Sequence, residues 1–164
     1  MKTLLLLRHG KSSWKDSSLD DHDRPLKPRG IKAARRIGKL IRHRQIRLDV
    51  VLCSTALRAT ETIRLCLEEA SQQPPVRLSR DLYHCEPSQF VSHLRNVDGG
   101  ASTVMIVGHN PGLESFLQGL TGEAYPFPTA ALAILELEIA DWPQVHEGLR
   151  GHLIDLWQPR TLED

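Results

Sequence analysis

Three short clusters hold the residues best suited to chemistry, and each directly follows an apolar run: Arg8-His9-Gly10, Ser54-Thr55-Ala56-Leu57-Arg58 and Gly108-His109-Asn110-Pro111-Gly112. Arginine's planar fork matches the oxygens of an oxyanion. An imidazole can attack an electrophile or exchange a proton near neutral pH. Two guanidinium groups and two imidazoles brought together, with the N–H groups of helix amino termini beside them, make a field of donors. Its natural occupant is a phosphoryl group. No carboxylate cluster accompanies the histidines and their spacing matches no standard zinc site, so no metal is expected. Taken alone, each cluster also has a plainer reading. Arg8 and His9 could be the first solvated residues after a strand, and Arg58 a surface arginine. Arg58 falls in the first turn of a helix, however, where the dipole disfavours a cation unless an anion is shared there.

The elements around these clusters decide whether they meet. Leu4-Leu5-Leu6-Leu7 is too short for a helix and suits a strand buried on both faces. Leu48-Asp49-Val50-Val51-Leu52-Cys53 and Thr103-Val104-Met105-Ile106-Val107 read the same way, and Val76-Arg77-Leu78 is a short strand candidate. Between them, Pro28 opens a helix with apolar Ile31, Ala34, Ile37, Leu40 and Ile41 at helical spacing. Ser54 or Thr55 can cap a helix running to about Ala70. Pro87 opens a third helix, and Asn110 with Pro111 can begin a fourth. Residues 131–139 and 152–157 read as further strands, the latter at a sheet edge, and residues 142–147 as a short helix or loop. Strands alternating with helices predict an α/β fold: a three-layer sandwich with a mostly parallel central sheet, helices on both faces, and a single domain over residues 1–164. In such a sheet, ligands bind outside the carboxyl ends of the strands, where Arg8-His9, Arg58 and His109 all fall. The polar segment 11–27, with Trp14 and Asp20-Asp21-His22-Asp23-Arg24-Pro25, starts at the same edge and is expected to lie over the site.

Composition excludes several classes. A formal net charge of +1 gives no general attraction to nucleic acid or to anionic membranes. The basic face of residues 29–44 has no aromatic residues interleaved to stack bases and reads as a solvated helix face. No stretch is long enough to span a bilayer, and the first apolar run is too short for a signal-peptide core. Three cysteines without zinc-ligand spacing or a disulfide pattern favour a reducing, cytoplasmic setting. His43, His93, His146 and His152 belong to no motif and read as surface or structural.

The run Arg8-His9-Gly10-Lys11-Ser12-Ser13-Trp14 resembles the signature of the histidine phosphatase superfamily, the phosphoglycerate mutase-like fold. The segment from Ser54 to Thr62 resembles its second arginine segment, and Gly108-His109-Asn110-Pro111-Gly112 its second-histidine segment. Asp23-Arg24-Pro25-Leu26 followed by Pro28-Arg29-Gly30 is similar to the small SixA branch, the phosphohistidine phosphatases. The resemblance implies that His9 is a nucleophile forming a phosphohistidine, with Arg8, Arg58 and His109 holding the phosphoryl oxygens. Ser12 and Arg24 join them in binding substrate, water then hydrolyses the intermediate, and inorganic phosphate leaves. No cofactor is implied. Neighbouring cations would disfavour protonation of His9 and preserve its lone pair.

The chain departs from the mutases of that superfamily in two places. Lys11 stands where they have Glu. Their acidic general acid, in the segment after the third strand, has Glu86 as its nearest counterpart, and Glu86 reads equally as a carboxylate favoured by a helix amino terminus. A labile phosphoamide needs less acid help than an ester. Only a short helix separates Tyr83 from Thr103, so no cap domain is expected and the pocket could admit a protein side chain. The leading expectation is a metal-independent phosphatase acting on protein phosphohistidine. A phosphomonoesterase for small metabolites and a non-catalytic phosphate-recognition module are the alternatives.

Overall fold

The computed structural model describes residues 1–159; the last five residues of the expected domain lie outside the described ones. Six strands form one sheet: β1 (Lys2–Arg8), β2 (Val50–Ser54), β3 (Val76–Ser79), β4 (Thr103–Gly108), β5 (Leu132–Leu137) and β6 (Gly151–Trp157). Their spatial order is β3-β2-β4-β1-β5-β6. The first four strands are parallel, and β5 and β6 extend the sheet antiparallel beyond β1. The helices are α1 (Pro28–His43), α2 (Leu57–Ala70), α3 (Pro87–Arg95) and α4 (Gly112–Thr121).

The leucine run explains the layering. Successive strand residues point to opposite faces. Leu4 and Leu6 therefore join Val104, Ile106, Phe90 and Leu117 in one core, under α3 and α4. Leu5 and Leu7 join Met105, Val107, Ile37 and Ile63 in the other, under α1 and α2. All four leucines are fully buried. Right-handed crossovers account for the division of the helices. The chain moves outward from β1 through β2 to β3 with α1 and α2 on one face, and its return from β3 to β4 puts α3 on the other.

Two details of helix ends differ from expectation. Helix α4 begins at Gly112, after a cis Asn110–Pro111 bond, and the Asn110 side chain accepts from the Glu114 N–H at 3.3 Å. The α2 cap position is Ala56, whose N–H Ser54 Oγ accepts at 3.2 Å. On the basic face of α1, Arg35 pairs with Glu68 and Glu69 of α2, at 3.4 and 3.3 Å. Among the described residues, no helix is long and apolar enough to cross a membrane. Between β3 and β4 the chain holds only a 3-10 turn (Arg80–Leu82) and the nine-residue α3.

Candidate active site

Strands β2, β4 and β1 are neighbours in the sheet, so their carboxyl ends bring Ser54, His109 and Arg8-His9 to one edge. The backbone there is pinned from both sides. The His9 N–H donates to the Gly108 carbonyl at 3.2 Å, and the His9 carbonyl accepts from Ala130 N–H at 3.0 Å. The Gly10 N–H donates to Thr62 Oγ1 at 2.9 Å, while the Thr62 hydroxyl donates to the Arg58 carbonyl at 2.6 Å. Thr62 thus ties the turn after β1 to the first turns of α2. Gly10 and Gly30 face each other at close range, and a methyl group on Gly30 would overlap the Lys11 backbone. That absence of side chains lets α1 start against the turn carrying His9.

His9 is buried, and its Nδ1 lies 2.6 Å from its neighbour's carbonyl, Gly10 O. A carbonyl only accepts, so Nδ1 carries the proton and Nε2 keeps a lone pair. Consistent with that tautomer, Arg58 Nε donates to His9 Nε2 at 3.4 Å. Burial pushes the imidazole down to about 4; the Gly10 bond opposes this, and Arg58, Arg8 and Arg24 add to it. Burial is therefore the larger cause of the preserved lone pair, and the neighbouring cations act in the same direction.

His109 is buried 5.0 Å from His9, ring centre to ring centre. Its Nε2 lies 2.8 Å from Ser54 Oγ. Burial, then His9, Arg58 and His84, drive its pKa down to about 2. His109 Nδ1 and Arg8 Nε are buried without a protein partner. Buried polar atoms are normally satisfied, and orphans in a cleft call for a ligand or water.

The segment 11–27 folds back over this edge through a bridge between Ser12 and Leu26. Its Asp21 takes up much of the positive charge. Arg58 Nη1 donates to the Asp21 carbonyl at 2.6 Å and Nη2 to Oδ2 at 2.9 Å, while Arg24 Nη1 donates to Oδ1 at 2.8 Å. The Tyr83 hydroxyl donates to Oδ2 at 2.6 Å, and His84 Nε2 lies 3.0 Å from the same oxygen. Burial alone would raise the Asp21 carboxyl, but bonds from Tyr83, His84, Arg58 and Arg24 hold it far below the usual range. Arg24 is itself fully engaged: Nε donates to the Ser13 carbonyl at 3.1 Å, Nη2 to Ser12 Oγ, and its guanidinium lies 3.2 Å from the Trp14 ring centre.

Arg8, His9, Ser12, Arg24, Arg58 and His109 all line one cavity of about 340 Å³. Glu86 is not on its wall; it stands exposed at the cap position of α3. Asp21 and His84 line the cavity instead, and Ser54 and Thr62 support it. Sequence reasoning gave Asp21, His84 and Thr62 no role of their own and took Ser54 only as a possible helix cap. The signals available were Asp21 three residues before Arg24, and an imidazole two residues before Glu86. Among the described residues, no group of three or more His, Cys, Asp or Glu is placed to hold a metal ion.

A sequence profile of the Histidine phosphatase superfamily (branch 1) matches residues 4–86. An uncharacterised protein of Mycobacterium tuberculosis is 33% identical over 165 residues, covering 94% of this chain and 100% of that protein. Among solved structures, the candidate phosphohistidine phosphatase SixA from Nakamurella multipartitia superposes with a TM-score of 0.82 at 28% identity, over 96% of both chains. The candidate SixA of Agrobacterium tumefaciens gives 0.83 at 28% identity, over 96% of this chain and 98% of that one. The chain belongs to the histidine phosphatase superfamily. Within it the chain is SixA-like, and it is a phosphatase.

Proposed function

We propose that this phosphatase hydrolyses phosphohistidine on a protein, through a covalent intermediate on His9 and without a metal ion. The observation that carries the reading is the lone pair of His9 Nε2, fixed by the Nδ1–Gly10 bond and set beside Arg58 in a cavity walled by cations. Phosphoryl transfer needs mainly position and charge stabilisation. His9 Nε2 attacks phosphorus, and the bond to the leaving atom breaks. Arg8, Arg58 and His109 hold the equatorial oxygens, the orphaned Arg8 Nε and His109 Nδ1 finding partners there. Water then attacks phosphorus, the P–N bond returns its electron pair to His9, and inorganic phosphate leaves. Ser12 and Arg24 act on substrate indirectly, by setting the loop that carries Asp21.

Two features favour a protein substrate. No inserted domain stands between β3 and β4 to roof the cavity, and Trp14 on its wall is three-quarters exposed. The structural neighbours at 28% identity are themselves candidate phosphohistidine phosphatases. The test is turnover of a phosphohistidine peptide beside a panel of small phosphate esters, at neutral pH with a chelator present. The expected result is preference for the peptide, unaffected by chelation. Preference for a small ester would assign the enzyme to metabolite hydrolysis, and loss of activity with chelator would overturn metal independence.

A further inference from the structure

Transfer of a phosphoryl group to His9 leaves an electron pair on the departing atom, which needs a proton. Four imidazole or carboxyl groups stand on the cavity wall: His9, Asp21, His84 and His109. His9 must keep its lone pair to attack. Asp21 is held as a carboxylate by its donors, and burial holds His109 neutral with Nε2 on Ser54. His84 remains. Its side chain is about half exposed, so it meets both the cavity and solvent.

We propose that His84, oriented by Asp21, gives the leaving atom its proton and then takes one from the attacking water. This rests on the covalent reading above. A carboxylate oxygen only accepts, so the 3.0 Å contact places the proton of His84 on Nε2 and leaves Nδ1 to exchange a second one. In the first step the P–X bond breaks, its electron pair goes to X, and X takes the Nδ1 proton of the imidazolium. In the second step Nδ1 takes a proton from the water as oxygen bonds phosphorus and the P–N bond to His9 breaks. A carboxylate fixing one nitrogen so that the other can work is a known way to set an imidazole's tautomer and stabilise its cation.

The backbone supports the assignment independently. His84 has φ of +49°, in the left-handed region that side chains rarely adopt. Such strain persists where the surroundings enforce it, and it concentrates at functional sites. Here it seats the ring 4.2 Å from Tyr83 and 4.9 Å from His109, centre to centre. The groups facing His84 are therefore Asp21 from the loop, Tyr83 beside it and His109 after β4, with Arg58 on the same Asp21 oxygen.

The test compares His84→Asn with the wild type. Asparagine tolerates the left-handed backbone and can still donate to Asp21, but it cannot shuttle a proton. With an alkyl phosphate, whose leaving group needs protonation, kcat/KM should fall by about 100-fold or more; with para-nitrophenyl phosphate, whose leaving group needs little, by less than about 10-fold. Equal losses on both substrates, or no loss, would overturn the role of His84. Radiolabel from either substrate should still be trapped on His9 in both proteins. If the wild type forms no such adduct, the covalent reading fails instead, whatever the variant does.

Discussion

Arg58 Nε lies 3.4 Å from His9 Nε2, while each of its two terminal nitrogens places one hydrogen on Asp21, on the carbonyl and on the carboxylate, and keeps a second. One guanidinium therefore joins the end of β1, the first turn of α2 and the loop over the site. Its placement at a helix amino terminus, unfavourable by dipole alone, is offset by the anionic partner it finds there. Arg58→Lys keeps the charge but cannot span three partners. It should lower kcat/KM by about 100-fold or more, as loss of an oxyanion donor does. Steady-state kinetics on the purified variant check this; activity within a few-fold of wild type would contradict it.

Thr62 is fully buried and serves both neighbours at once, accepting from Gly10 and donating to the Arg58 carbonyl. Thr62→Val leaves the Gly10 N–H without an acceptor. Unfolding free energy should fall by about 1–3 kcal/mol in urea titration, and Thr62→Ser should recover most of it.

How much of this arrangement is legible in sequence depends on which residues a strand carries. Arg8 ends β1, His9 and His109 directly follow β1 and β4, and Arg58 comes four residues after the end of β2. The parallel sheet and the position of each cluster at a strand's carboxyl end follow from the apolar runs of those strands. Asp21 and His84 are different. Asp21 reaches the site because the segment 11–27 folds back through the Ser12–Leu26 bridge, a pairing that no local periodicity marks. His84 is turned into the cavity by a left-handed backbone that its residue type does not announce, while Glu86, two residues on, stays outside at the start of α3. Proximity in sequence to a strand end placed the nearest carboxylate; three-dimensional closure placed a different pair.

Both buried histidines have pKa values below the ordinary 6.5, about 4 for His9 and about 2 for His109. Below about pH 6.5 the unfolded chain binds protons that the folded one does not, so stability falls as pH falls. The loss extends down to the folded values. Between pH 7 and 5, above the range where carboxylates titrate, each histidine should remove up to about 1.4 kcal/mol per pH unit. Thermal unfolding across that window should show a falling midpoint in wild type and a shallower slope in His109→Gln. Equal slopes would contradict the assignment.

The close passage of α1 over the His9 turn makes a further prediction. Gly30→Ala would press a methyl group into the Lys11 backbone and should destabilise by about 1–3 kcal/mol, lowering activity as the turn shifts. Gly119→Ala, in α4 with open space around it, should instead stabilise by about 0.5–1 kcal/mol. Urea unfolding of the two variants gives opposite signs if the packing is as described.

The most direct test of the account is to mix the enzyme with radiolabelled substrate, quench within the first turnover and map the label. An acid-labile phosphate should appear on His9 and be absent in His9→Ala, although that variant still binds inorganic phosphate. Label on another residue, or normal turnover by His9→Ala, would contradict it.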